Sequence, residues 1–140
     1  QLDLVVRHLA DLPFGIYAAR NYLDRKGRPA TLDALMQLDF IGQDRSDQII
    51  RTMTDLGYPV TRGFFPLRTD DPLVYQDLIR AGCGIGGLLT RIGDADPALE
   101  RIEGLVALPR LPVWLAAAPA LRTSPRLRRV WDALASAFDA

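Results

Sequence analysis

The sequence is short of several residue types that mark common classes of protein. Cys83 is its single cysteine, which excludes an internal disulfide framework and fits a reducing compartment. His8 is its single histidine, so no convergent set of histidine ligands predicts a metal site. The formal net charge is zero, whereas modules that bind nucleic acid usually carry a basic excess. No run of eighteen apolar residues is present, so we expect no membrane span, and we expect no cofactor.

The residues that are present predict an α/β fold. About half of the 140 residues are apolar, which is enough for a domain with its own core. Segments of strand character alternate with segments of helical periodicity, and this alternation favours a mostly parallel sheet flanked by helices. Strands are predicted at residues 4–6, 14–18, 39–42, 61–69, 85–89, 105–108 and 113–117. Helices are predicted at residues 20–26, 31–36, 46–56, 72–81 and from 124 onwards.

A glycine-rich stretch imitates a dinucleotide-binding motif. Gly82, Gly84 and Gly87 satisfy the spacing G-x-G-x-x-G, but that motif must follow a strand and open a helix. Here the order is reversed, because Asp71 and Pro72 are typical of a helix start and Gly82 is typical of a helix end. The glycines therefore predict the end of a helix and the start of a buried strand.

Five segments, in this order along the chain, resemble the effector-binding domain of LysR-type transcriptional regulators. They are residues 12–18 with Asn21-Tyr22-Leu23, residues 27–35, residues 69–89 with the run Ala81-Gly82-Cys83-Gly84-Ile85-Gly86, residues 111–116, and residues 124–131. The resemblance implies a type 2 periplasmic-binding-protein-like fold with a Rossmann-like subdomain. It further implies a crossover strand at 1–12, the second subdomain at 13–118, and a C-terminal helix within 119–140 that docks on a mostly absent first subdomain.

The same resemblance implies a function. We expect a ligand-sensing domain without catalysis, which binds a small effector between subdomains and forms homo-oligomers in the bacterial cytoplasm. Arg45 would suit an anionic effector. DNA would be contacted only through an N-terminal winged helix-turn-helix, and the chain, which starts without Met or a signal peptide, is expected to be part of a longer protein. Two alternatives stay open: one lobe of an extracytoplasmic solute-binding protein, and a small α/β enzyme that uses Cys83 or Asp70.

Two loops at strand ends are the candidate effector site, because ligands of open α/β sheets bind outside the carboxyl ends of strands. The first loop contains Gln43, Asp44, Arg45 and Ser46, where backbone N–H groups at a helix start could hold an anion with the Arg45 guanidinium and the Ser46 hydroxyl. The alternative is that Asp44 or Ser46 merely caps the helix and that Arg45 is a solvated charge.

The second loop contains Thr69, Asp70 and Asp71. Thr69 could donate to an effector oxygen, and Asp70 could pair with an amine or with Arg45. The alternative is that Asp71 caps the next helix and that Asp70 lies in solvent.

Two apolar surfaces are candidate interfaces. The resemblance implies that a helix with Ile49, Ile50 and Met53, together with a strand carrying Phe64 and Phe65, packs against a second chain; the alternative is an ordinary core-facing helix. The last helix has an apolar face that would be left exposed, and we expect self-association or helix exchange to cover it. That face consists of Leu127, Val130, Trp131, Leu134 and Phe138. We further expect a buried Cys83 side chain and a solvated pair, Asp94 and Asp96.

Overall fold

The structure is a computed structural model that describes residues 3–139, with seven strands and six α-helices in that part of the chain. Residues 14–108 form one compact unit, here called the central unit, and the described residues before 14 and after 108 form the terminal unit. The strands are β1 Val5–Leu12, β2 Phe14–Ala19, β3 Ile41–Gly42, β4 Leu67–Arg68, β5 Ile85–Leu89, β6 Leu99–Ile102 and β7 Leu111–Ala117. The α-helices are α1 Arg20–Lys26, α2 Leu32–Met36, α3 Gln48–Asp55, α4 Pro72–Arg80, α5 Thr90–Gly93 and α6 Pro125–Ser136.

The helix starts predicted from capping residues are confirmed at three places. The side chains of Thr31, Asp71 and Ser124 accept hydrogen bonds from backbone N–H groups in the first turns of α2, α4 and α6. Since the first N–H groups of a helix have no partner within it, these caps satisfy donors that would otherwise be unpaired. Gly82, at a φ of 75°, follows α4 in the left-handed region, which explains why the helix ends there.

The strands of the central unit do not form a mostly parallel sheet, and that prediction is wrong. β2 lies between β5 and β6 and is antiparallel to both. β3 is parallel to β4, and Phe40, just before β3, forms a parallel bridge with Ile85 of β5. β3, β4, β5 and β6 therefore share one direction, as expected for strands joined through helices, and only β2 is reversed. Alternation of strands and helices could not reveal this, because no helix precedes β2 within the unit to set its direction.

The core of the central unit is built on two buried tyrosines and on aliphatic residues from the strands. Tyr17 and Tyr22 are almost fully buried and give their hydroxyl protons to Asp94, at 2.6 Å, and to Asp39, at 2.9 Å. Burial and the hydrogen bond to Asp94 raise the pKa of Tyr17 to about 12. The remaining fully buried large side chains are Leu23, Leu35, Ile41, Ile79 and Ile85.

Several local predictions are wrong because tertiary contacts override the sequence pattern. The predicted strand at 61–69 is a 3₁₀ turn, Arg62–Phe64, followed by the two residues of β4, and residues 105–108 form no strand. Cys83 is exposed rather than buried. Asp96 is not solvated, because its side chain is 12 % exposed and lies 2.5 Å from the Arg80 guanidinium. Asp94 is also engaged, as the acceptor for Tyr17.

The terminal unit contains an antiparallel pair of strands and α6. β1 pairs with β7 over their lengths, with an irregularity between His8 and Ala10. The last strand belongs to the pair with β1, so the compact central unit ends at residue 108. The exposure expected for α6 is found at Leu127, Val130 and Leu134, which are 44 %, 58 % and 45 % exposed.

Trp131 and Phe138, on the same face of the chain end, are only half-buried.

Over residues 3–139, no helix is long and apolar enough to cross a membrane. Nor do those residues contain a cluster of three metal-ligating side chains.

Candidate functional site

The two loops predicted as the candidate site lie side by side at one edge of the sheet. β3 and β4 are parallel, with Ile41 opposite Leu67 and Gly42 opposite Arg68. The Thr69 N–H continues this pairing by donating to the Gly42 carbonyl at 3.0 Å. Residues 43–46 and 69–71 therefore leave the carboxyl ends of neighbouring parallel strands, the position where α/β sheets bind ligands. We call this region the loop edge.

The backbone N–H groups of the first loop are already occupied, so the prediction that they are free to bind an anion is wrong. The Asp70 carboxylate accepts hydrogen bonds from the N–H groups of Asp44 at 3.0 Å, Arg45 at 2.9 Å and Ser46 at 3.2 Å. Asp70 thus binds the backbone of Arg45 and not its guanidinium. These donors hold the pKa of the Asp70 carboxyl below its usual range, because they stabilise the ionised form.

The start of α3 differs from the predicted cap. The helix begins at Gln48, and Asp44 makes no capping hydrogen bond to it. Instead the Ser46 hydroxyl accepts from the Gln48 N–H at 3.3 Å, and the Gln43 side-chain oxygen accepts from the Ile49 N–H at 3.1 Å. Ser46 therefore has the predicted kind of role, while Gln43 reaches the helix from six residues upstream. Each contact satisfies one N–H group of the first turn.

Two arginines that the sequence did not single out contact the first loop. Arg62 lies in the 3₁₀ turn and Arg68 in β4. The Arg62 guanidinium donates to the Asp44 carbonyl. The Arg68 guanidinium donates to the Arg62 carbonyl at 3.2 Å and has its Nε 3.7 Å from the Asp44 carboxylate. The only sequence signal was their spacing of six residues, which has structural meaning only once the 3₁₀ turn between them is known.

The second loop uses its acceptors internally in the same way. The Thr69 hydroxyl oxygen accepts from the Asp71 N–H at 3.2 Å, and Asp71 accepts from the N–H groups of Leu73 and Val74. The capping role predicted for Asp71 is confirmed. The Thr69 hydroxyl proton is not used in these contacts, so Thr69 can still act as a donor.

Three side chains of the loop edge keep donors that no contact described above uses. The Gln43 and Thr69 side chains have their oxygens engaged with backbone N–H groups, which leaves an amide NH₂ and a hydroxyl proton to donate. The exposed Arg45 guanidinium has no hydrogen-bond or ion-pair partner among residues 3–139. These donors lie beside the carboxylates of Asp44 and Asp70, and each of them can bind an oxygen atom.

The residues predicted for a dimer interface divide into two groups. Ile49, Ile50 and Met53 are half-buried and pack against the core of the central unit, so each keeps some exposed surface. Phe64 is also half-buried and lies against the rings of Phe40 and Phe65, with ring centroids 5.5 and 5.2 Å away.

Phe65 is only 3 % exposed, and its ring lies directly against Gly42. Its side chain therefore belongs to the core of the central unit and exposes almost no surface. For all five residues, an interface with a second chain stays a prediction.

Comparison with known proteins identifies the relatives of this chain. A family model described as the LysR substrate binding domain matches residues 1–139. The regulatory domain of CrgA, a LysR-type transcriptional regulator from Neisseria meningitidis, is similar with a TM-score of 0.77 at 22 % identity, over 99 % of this chain and 72 % of that one. A longer CrgA structure from the same organism has a TM-score of 0.79 at 20 % identity, over 98 % of this chain and 48 % of that one.

A third similar structure is the CcmR regulatory domain of Synechocystis PCC6803 in complex with 2-PG. It has a TM-score of 0.70 at 16 % identity, over 99 % of this chain and 68 % of that one. At these identities the solved structures establish a shared fold. No curated protein matches the chain.

Proposed function

The chain belongs to the LysR substrate-binding-domain family, and from that premise we propose that it is the effector-sensing part of a bacterial LysR-type transcription regulator. It acts by binding and not by catalysis. It spans about half of the longer CrgA structure, which leaves room in a regulator of that size for a DNA-binding module. In this proposal the regulator is a cytoplasmic homo-oligomer that contacts DNA only through an N-terminal winged helix-turn-helix.

The loop edge is the proposed effector site, and the observation that carries it is the parallel pairing of β3 with β4. That pairing places the donors of Gln43, Arg45 and Thr69 at the carboxyl ends of neighbouring strands. Ser46 completes the site with its hydroxyl. Asp44 and Asp70 are part of the site in a different sense, because their contacts shape the first loop.

The proposed effector is a small anion. The carboxylate of Asp70 is surrounded by backbone donors, and that of Asp44 lies 3.7 Å from Arg68, whereas Arg45 is left without a partner among the described residues. An effector carboxylate or phosphate would supply that partner. The related CcmR regulatory domain is described in complex with 2-PG, which supports small-molecule binding by this fold.

The proposed response is a shift between conformations of the intact regulator. An effector changes such an equilibrium only if it binds the two conformations with different affinity. A tenfold preference for one of them changes the equilibrium by about 1.4 kcal/mol, which is in the range of typical allosteric coupling. The proposal therefore requires that contacts at the loop edge differ between the two conformations.

A thermal-shift screen of the intact regulator tests the site. Small carboxylates, amino acids and aromatic acids are compared in the wild type, Thr69→Ala and Arg45→Ala. A ligand at about 100 times its Kd stabilises the folded state by about 2.7 kcal/mol, and we expect both substitutions to remove most of this effect.

Matched controls are Thr54→Ala, whose hydroxyl bonds its own helix, and Arg91→Ala, an exposed arginine of α5. Both should respond to the ligand as the wild type does. Equal stabilisation of Thr69→Ala, Arg45→Ala and the wild type would remove the loop edge as the effector site.

A further inference from the structure

The loop edge contains a fixed negative charge at the place where an anionic ligand would be expected to bind. We propose that Asp70 is a specificity-determining residue: its carboxylate occupies the backbone N–H groups of residues 44–46 and so restricts an effector to the side-chain donors. This inference rests on the proposed function, because it concerns which part of the effector site a ligand can use.

The first support is the geometry of the contact. Three consecutive N–H groups converge on one carboxylate, at donor–acceptor distances between 2.9 and 3.2 Å. Convergent backbone N–H groups of this kind form anion-binding concavities in many proteins. The carboxylate that fills this one comes from a loop 25 residues further along the chain. The contact is therefore a tertiary one, and a small carboxylate could take its place only where Asp70 is removed.

The second support is the separation between the two kinds of donor. Asp70 uses the backbone donors, while the Arg45 guanidinium is not hydrogen-bonded to it and lowers its pKa only through its charge. The lowered pKa of Asp70 means that the carboxylate is ionised at neutral pH. A second anion is repelled from the N–H groups by this charge but can still reach Arg45 and Thr69. Asp70 thereby favours a ligand whose anionic group binds at the side chains.

The inference is tested by removing the Asp70 carboxylate and supplying a small carboxylate, formate, in solution. Thermal unfolding of the intact regulator is measured in sodium formate and in sodium chloride at equal ionic strength, for the wild type and Asp70→Ala. Asp70→Ala should be less stable in chloride, and formate should raise its Tm by at least about 2 °C more than it raises that of the wild type. Asp47→Ala is the matched control, because Asp47 is an exposed carboxylate that follows the first loop and, within residues 3–139, pairs with Arg51 alone. It should show no formate-dependent gain.

Backbone amide NMR gives a second measurement, which observes the N–H groups of residues 44–46 directly. In Asp70→Asn the carboxamide oxygen can still accept hydrogen bonds but carries no charge, so the fold is retained and formate can compete for the N–H groups. Titration with formate should shift the amide signals of Asp44, Arg45 and Ser46 in this variant and leave those of the wild type in place. Identical formate responses of the wild type and both Asp70 variants would overturn the inference.

The result is independent of the effector screen, since formate replaces Asp70 whether or not an effector has been found. Failure of the formate experiment removes the role of Asp70 and leaves the proposed function standing. Equal ligand responses in the effector screen remove the loop edge as the effector site even where formate rescues Asp70→Ala.

Discussion

Asp70 and Gln43 both use side-chain oxygens to bind backbone N–H groups near the start of α3. Asp70 binds three of them from across the loop edge, and Gln43 binds the Ile49 N–H from within its own loop. A buried or crowded N–H group without an acceptor lowers stability. Side-chain oxygens next to such groups are therefore used to accept from the backbone and are not free to bind a ligand. What remains for ligand binding is the set of donors that the backbone does not use, and at this edge that set includes Arg45 and Thr69.

The titration of Asp70 follows from its contacts with the loop. Folding lowers its pKa, so its contribution to stability is present above the unfolded aspartate pKa of about 3.9 and is lost as pH falls through the lower folded-state value. Carboxyl ¹³C NMR of the folded protein should give a midpoint below about 3.9, and the signal absent from Asp70→Asn identifies the group. A midpoint at or above that value would contradict the hydrogen bonding described for Asp70.

Gly42 is required by the close packing of Phe65. A Cβ atom at this position would overlap the Phe65 ring, and that ring is confined in the core. Gly42→Ala should therefore lower the free energy of unfolding by about 1–3 kcal/mol, measured by urea denaturation.

Gly87→Ala is the matched control for this substitution. Its added methyl group would meet only a Leu108 side-chain carbon, at 3.8 Å. An equal loss in the two variants would show that the overlap with Phe65 does not determine the effect of Gly42→Ala.

The helices of the central unit begin and end at residues whose effect is local. Asp71 and Pro72 open α4, and Gly82 follows it at a φ of 75°. The segment between α3 and α4 is less regular, because a 3₁₀ turn and Pro66 leave only two residues of β4 to pair with β3. This short pairing is nevertheless sufficient to align the two loops of the candidate site.

Removal of the α4 cap should destabilise the protein by a measurable amount. Asp71 accepts hydrogen bonds from Leu73 and Val74, and loss of such a cap typically costs about 1 kcal/mol. Asp71→Ala should show this loss in urea denaturation. Asp77→Ala, on the exposed face of the same helix, removes only a surface contact of 3.8 Å with Arg80 and should change stability by less than about 0.5 kcal/mol. A loss at Asp71 no larger than that at Asp77 would argue against the cap.

At the scale of the whole molecule, apolar surface is distributed unevenly. The central unit encloses a core of aromatic and aliphatic residues, whereas α6 of the terminal unit leaves Leu127, Val130 and Leu134 exposed on one face. Exposed apolar patches of this kind are typical of surfaces that contact another protein segment. Self-association of the 140-residue chain is therefore the expected consequence.

A charge placed on that face should reduce the association. Val130 is 58 % exposed, and Val130→Glu puts a carboxylate in the middle of the apolar surface. Light scattering of the 140-residue chain should show a lower mean mass for this variant than for the wild type. Ser136→Glu adds the same charge on the opposite side of α6 and should leave the mass unchanged. A monodisperse monomer in the wild type would contradict the prediction.

The sequence alone was sufficient for features that depend on neighbouring residues. Thr31, Asp71 and Ser124 cap helices, and Gly82 ends one, because each acts on backbone groups within a few positions of itself. The ordered set of motifs, including Ala81-Gly82-Cys83-Gly84-Ile85-Gly86, was also sufficient for the family. Both loops of the candidate site followed from the positions of predicted strand ends, which requires no knowledge of contacts between them.

Only the tertiary structure decided which distant groups meet. Four features depend on segments that are remote or irregular in sequence. They are the reversed direction of β2, the burial of Phe65, the exposure of Cys83 and the pairing of Asp96 with Arg80. The same holds for Asp70. Its position in the sequence is typical of a solvated loop residue, but its carboxylate accepts from three N–H groups of the first loop, and Arg45 of that loop is 25 residues away. Local propensity cannot specify such partners, because they are selected by the packing of the whole unit.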